Sequence, residues 1–79
     1  MNYKEYIELG FKRHDLEDSV EMDNTGYGGY FLKYHLNKKI SIEVYYDELQ
    51  TPRLFIEKKD DKYAIIDLSI EQLHKLVNN

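Results

Sequence analysis

Tyr30, Leu32, Tyr34 and Leu36 alternate with Phe31, Lys33 and His35; three residues later, Ile40, Ile42, Val44 and Tyr46 alternate with Ser41, Glu43 and Tyr45. A period of two is the mark of a half-buried strand, because successive side chains leave the backbone on opposite sides. Asn37-Lys38-Lys39 between the two runs makes a turn, so they form an antiparallel pair. That pair presents one apolar face, which must be covered. Its other face carries Phe31, Lys33, His35, Glu43 and Tyr45.

The flanking segments supply the cover and extend the sheet. Arg53 to Lys58 reads as another strand, with Leu54 and Ile56 facing one way and Phe55 the other. Asp47 to Pro52 connects it to the preceding strand, and Pro52 has no N–H to give a ladder. Lys59-Asp60-Asp61-Lys62 is a charged tight turn, and Tyr63 to Asp67 forms the last strand. Upstream, His14 to Asp18 reads as a loop and Ser19 to Met22 as a short alternating strand.

Two helices close the ends. Asn2 and Glu5 have capping-box spacing, and Tyr3, Tyr6, Ile7 and Phe11 make one apolar stripe from about Tyr3 to Lys12. Gly10 weakens or ends that helix. At the other end Ser69 and Gln72 form a second capping box, with Leu68 and Leu73 placed as a hydrophobic staple. Ile70, Leu73, Leu76 and Val77 are its buried face. The expected architecture is a single α+β domain over residues 1–79, ordered α-β-β-β-β-β-α, with a four- to five-stranded antiparallel sheet and both helices on one face.

Size and composition narrow the chemistry. A 79-residue chain builds a thin core, burying only roughly 60% of its unfolded surface. A 42% hydrophobic content with regular patterning still speaks against disorder. The absence of cysteine excludes disulfides and thiolate metal sites. The N-terminus has no apolar signal core and no run reaches the roughly 20 residues of a membrane span, so a soluble cytoplasmic protein without membrane contact is expected.

Asp23-Asn24-Thr25-Gly26-Tyr27-Gly28-Gly29-Tyr30 holds three of the four glycines. It lacks the Gly-Lys-Ser/Thr ending of a phosphate loop and leads into a strand rather than a helix. It reads as a hairpin turn, with a bulge or close backbone approach at Gly28 and Gly29, or as a tyrosine-bearing contact loop. His14, His35 and His74 show no metal-ligand spacing, Ser69 is a helix cap, and the paired acids lie in turns. No catalytic, metal or cofactor residue is expected.

The distribution of acid is more telling. Fifteen acidic against eleven basic residues give a net charge of −4, opposite to the basic balance usual in nucleic-acid binders. Asp15, Glu17, Asp18, Glu21 and Asp23 fall in nine residues without a Lys or Arg, and Tyr45-Tyr46-Asp47-Glu48 forms a second acidic, aromatic patch. One reading is a solvated acidic loop. The other is a surface of Asp15, Glu17, Asp18, Glu21, Asp23, Tyr27, Tyr45, Asp47 and Glu48 that docks on a basic partner, with tyrosines as anchors and acids steering approach. A separate possibility uses Phe31, Lys33, His35, Arg53 and Phe55 on the sheet face opposite the core. Such a face suits stacked single-stranded bases, a second copy or a protein partner.

The opening Asn2-Tyr3-Lys4-Glu5-Tyr6-Ile7-Glu8-Leu9-Gly10-Phe11-Lys12-Arg13, and Asp18-Ser19-Val20-Glu21 leading into Thr25-Gly26-Tyr27-Gly28, resemble small proteins of phages and mobile elements. Anti-CRISPR proteins and other inhibitors of host defence are among these. What the chain shares with them is general character, being short, acidic, tyrosine-rich and free of diagnostic motifs. The resemblance implies an inhibitor that binds a nuclease, and it transfers no functional residue; the residues themselves point to a chain that is not an enzyme, present as monomer or homodimer.

Overall fold

The computed structural model describes residues 1–15 and 29–78. Helix α1 spans Tyr3–Leu9, strand β1 Lys12–Asp15, β2 Tyr30–His35, β3 Ile40–Tyr45, β4 Arg53–Glu57, β5 Tyr63–Asp67 and helix α2 Ile70–Val77. The strands form one open antiparallel sheet in the order β1-β2-β3-β4-β5, so every strand pairs with its neighbour in this series. The α+β class, the antiparallel sheet, the four strands from β2 to β5 and the two terminal helices are as the sequence patterning predicts, whereas the stretch from His14, read as a loop, begins within strand β1.

Both capping boxes form. The Asn2 side chain accepts from the Glu5 N–H at 2.9 Å while the Glu5 carboxylate accepts from the Asn2 N–H at 3.1 Å. Ser69 and Gln72 do the same at 3.1 and 2.9 Å. Helix α1 is shorter than its apolar stripe suggests. Gly10 takes a left-handed conformation at φ 110°, its N–H returning to the last turn, and Lys12 already belongs to a strand. A helix cannot pass through that backbone angle, whatever the periodicity beyond it.

Strand β1 is the element that hydrophobic pattern misses. Lys12, Arg13, His14 and Asp15 are all exposed, so no alternation marks them, and the ladder to β2 alone defines the strand. The strand read at Ser19 to Met22, and the turn read from Asp23 to Gly28, lie outside the described residues. The close approach expected at Gly29 is present: φ is 78°, and a Cβ there would collide with the Tyr46 ring.

The core lies between the helices and one sheet face. Tyr6, Phe11, Leu32, Ile42, Val44, Leu68 and Leu73 are buried together. Tyr6 packs edge-on against Phe11 with ring centroids 5.1 Å apart, and its hydroxyl donates to the Leu49 carbonyl. The turn after β2 is held by Asn37, whose side-chain oxygen accepts from the N–H groups of Lys39 and Ile40 at 2.8 and 3.0 Å. Asp60 and Asp61 both adopt positive φ in the turn before β5.

Candidate interaction surface

Directly opposed residues in an antiparallel ladder share a face, so the four registers assign every strand side chain to one side of the sheet. Leu32, Ile42, Val44, Leu54 and Ile66 lie on the side the helices cover. The opposite side carries Phe31, Tyr45 and Phe55, as the alternation predicts. No described element lies over it.

This open face is organised in rows that run across the strands. His14, Phe31 and Tyr45 form the first. His14 stacks on Phe31 with centroids 5.0 Å apart and planes 12° from parallel, and Phe31 meets Tyr45 at 5.8 Å. The next row is charged along its whole length: Lys12, Lys33, Glu43, Arg53 and Asp67. Beyond it come His35, Ser41, Phe55 and Ile65, and finally Glu57 and Tyr63. Phe55 meets Tyr63 edge-on at 6.4 Å.

The charged row largely neutralises itself. Lys33 Nζ lies 3.9 Å from Glu43. Arg53 reaches Glu48 at 2.8 Å and Asp67 at 3.2 Å, so one guanidinium serves two carboxylates. Fixed pairing leaves little cationic potential for a polyanion and gives the face a polar seam between two aromatic strips. Interface centres rich in Tyr and Phe and poor in uncompensated charge have this character.

The described acidic and tyrosine residues singled out in the sequence divide among three places. Tyr45 belongs to the first aromatic row, and Glu48 is drawn to the open face by Arg53. Asp47 is exposed in the turn after β3. Asp15 stands apart: its register with Tyr30 puts it on the helix-covered side, and Arg13 holds its carboxylate at 2.8 Å. Glu17, Asp18, Glu21, Asp23 and Tyr27 lie outside the described residues.

Three residues of the open face are not legible in the sequence. His14 belongs to a strand with no apolar signal. Tyr63 and Ile65 sit in a run, Tyr-Ala-Ile-Ile-Asp, whose apolar residues fall on both sides and so do not declare a face. The pairing of Phe55 with Ile65 and of Glu57 with Tyr63 settles it.

Comparison with protein-family models, with curated proteins and with solved structures finds no match for the chain. Among the described residues no group of His, Asp or Glu side chains is placed to hold a metal, and no helix is long and apolar enough to cross a membrane.

Proposed function

We propose that this chain is a non-catalytic binding protein that engages a larger protein through the open sheet face. The supporting observation is the pair of aromatic strips that no described element covers, beside a charged row whose Lys33 and Arg53 are already matched by Glu43, Glu48 and Asp67. An apolar face with a neutralised seam suits a partner that is apolar at its contact centre. Asp47 and Glu48 at the rim, with the net charge of −4, suit one whose surrounding surface is basic. Inhibition of a nucleic-acid-processing enzyme of a defence system, in the cytoplasm, is the form of this proposal that the sequence resemblance implies.

A second reading draws on one feature of the same face. Lys12 and Lys33 lie side by side next to the His14–Phe31 stack, an arrangement that suits a stacked single-stranded nucleic acid. One experiment addresses both. Affinity capture from the native host is run with the wild-type chain and with a Phe31→Ala/Tyr45→Ala variant whose far-UV circular dichroism is unchanged. A protein retained by the first and lost with the second, with retention falling as salt rises, is the expected result. Equal capture by both overturns the proposal. Retention of single-stranded DNA or RNA on filters at low salt, abolished by the same variant, replaces it with the second reading.

A further inference from the structure

Strand β5 ends the sheet, and among the described residues nothing pairs with its outer edge. It is also where the apolar surface concentrates. Of the four large hydrophobic residues that stand exposed among the described residues, Ile7, Tyr63, Ile65 and Ile66, three belong to this strand. Ile65 projects from the open face and Ile66 from the covered one, at 56% and 48% exposure, so neither layer of the fold shields the edge.

The direction of the backbone groups on β5 follows from its two ends. The Leu68 N–H donates to the Pro52 carbonyl at 2.8 Å, and the Lys62 carbonyl accepts from the Lys58 N–H at 2.8 Å. Residues 62 and 68 therefore turn their backbone groups inward toward β4, and 64 and 66 follow by alternation. Tyr63, Ile65 and Asp67 present their N–H and C=O groups outward. A bare apolar edge with aligned donors and acceptors is a template for another strand.

We propose that the occupant is a second copy of this chain, its β5 pairing antiparallel with β5 about a two-fold axis at Ile65. In that register Ile65 meets Ile65, Ala64 meets Ile66 and Tyr63 meets Asp67. The three outward-facing residues of each strand fall into hydrogen-bonded pairs. A small residue faces a large one, and no like charges oppose each other. The ends are complementary as well: the turn before β5 carries Lys58, Lys59 and Lys62 against Asp60 and Asp61, and the far end carries Asp67. Antiparallel pairing brings these unlike ends together, whereas parallel pairing stacks like on like.

The opposite edge limits the assembly to two. Strand β1 is Lys12-Arg13-His14-Asp15, charged or polar at every position, a composition that discourages edge pairing. One adhesive edge and one guarded edge give a closed dimer rather than a fibre. A five-residue strand pair buries less than the roughly 1,200 Å² of a standard stable interface, so the dimer forms with rising concentration. Edge pairing shares Tyr63 and Ile65 with the far side of the open face but uses neither Phe31 nor Tyr45, so substitution at those two separates it from contact through the first aromatic row.

Sedimentation equilibrium over a concentration series is the test. The wild-type chain is expected to pass from monomer to dimer. Ile65→Lys and Ile65→Glu, which place like charges on the two-fold axis, are each expected to stay monomeric, and their equimolar mixture to recover dimer. In the wild-type chain, amide exchange at Tyr63, Ile65 and Asp67 is expected to slow as concentration rises, a readout that needs no variant. A monomer at the highest attainable concentration overturns the proposal and leaves the edge to a strand from another protein. Dimerisation that survives Ile65→Lys but is lost with Phe31→Ala overturns it in favour of contact through the open face.

Discussion

The two faces of strands β2 and β3 are built from alternate residues of the same segments, yet they serve different ends. On one side Leu32, Ile42 and Val44 have no solvent exposure and pack against Tyr6, Phe11 and Leu73. On the other, Phe31 and Tyr45 are half-buried, Phe31 stacking on His14 and meeting Tyr45 across the strands. The covered face holds the domain together. The open face keeps apolar area that no described element covers, and its cross-strand aromatic pairs add only modestly to stability. Substitution should therefore separate stability from binding, according to which side of the sheet is altered.

The largest effect is expected on the covered side. Leu32→Ala removes a fully buried side chain from the middle of the core and should cost about 2–5 kcal/mol. A domain of this length has only roughly 4–12 kcal/mol in total, at about 0.05–0.15 kcal/mol per residue. Urea denaturation should show a sharply lowered midpoint or a chain already unfolded in buffer. A loss below about 1 kcal/mol would mean that the helices do not seal this face.

Gly29→Ala comes next, at about 1–3 kcal/mol, because it combines a left-handed backbone with a Cβ driven into the Tyr46 ring. The same denaturation assay reads it. A neutral result would show that the entry to β2 can re-form around a side chain.

Tyr6→Phe should cost about 1 kcal/mol, through loss of the hydrogen bond to Leu49. It carries a pH signature too. Burial, with a smaller contribution from Glu5, pushes the Tyr6 hydroxyl from 10.0 up to about 12. The folded chain thus keeps a proton that the unfolded chain releases. Its stabilising contribution is whole below pH 10 and is lost as pH rises toward 12. Denaturation midpoints of wild type and variant should converge between those limits; a constant difference would show that the hydroxyl titrates alike in both states.

The smallest stability effect is expected on the open side. Phe31→Ala removes the stack with His14 and the contact with Tyr45, and should cost about 1 kcal/mol or less. Circular dichroism should show an intact fold. A loss as large as that of Leu32→Ala would make the two faces equivalent and remove the basis for reading the open one as a binding surface.

The legibility of these two faces in the sequence was unequal. The covered face was readable from Leu32, Ile42 and Val44 alone, because alternation of burial is a local property of a strand. The aromatic content of the open face followed from the same alternation, which placed Phe31, Tyr45 and Phe55 together. Its row order did not, because rows depend on register. Nothing local says that Lys33 stands opposite Glu43, or Arg53 opposite Asp67, and so nothing local says that the charges neutralise. Strand β1 shows the same limit from another side. An exposed edge strand needs no apolar residues, and Lys12 to Asp15 became a strand only by pairing with β2.

By itself, then, the sequence determined the helix caps, the central hairpin and the α+β class. Each of these rests on a pattern carried by a short local stretch of the chain. Tertiary structure alone decided how the open face alternates aromatic and charged rows, and which edge of the sheet is left adhesive. Those properties depend on the register between separate strands, where only the completed pairing brings side chains within reach of one another.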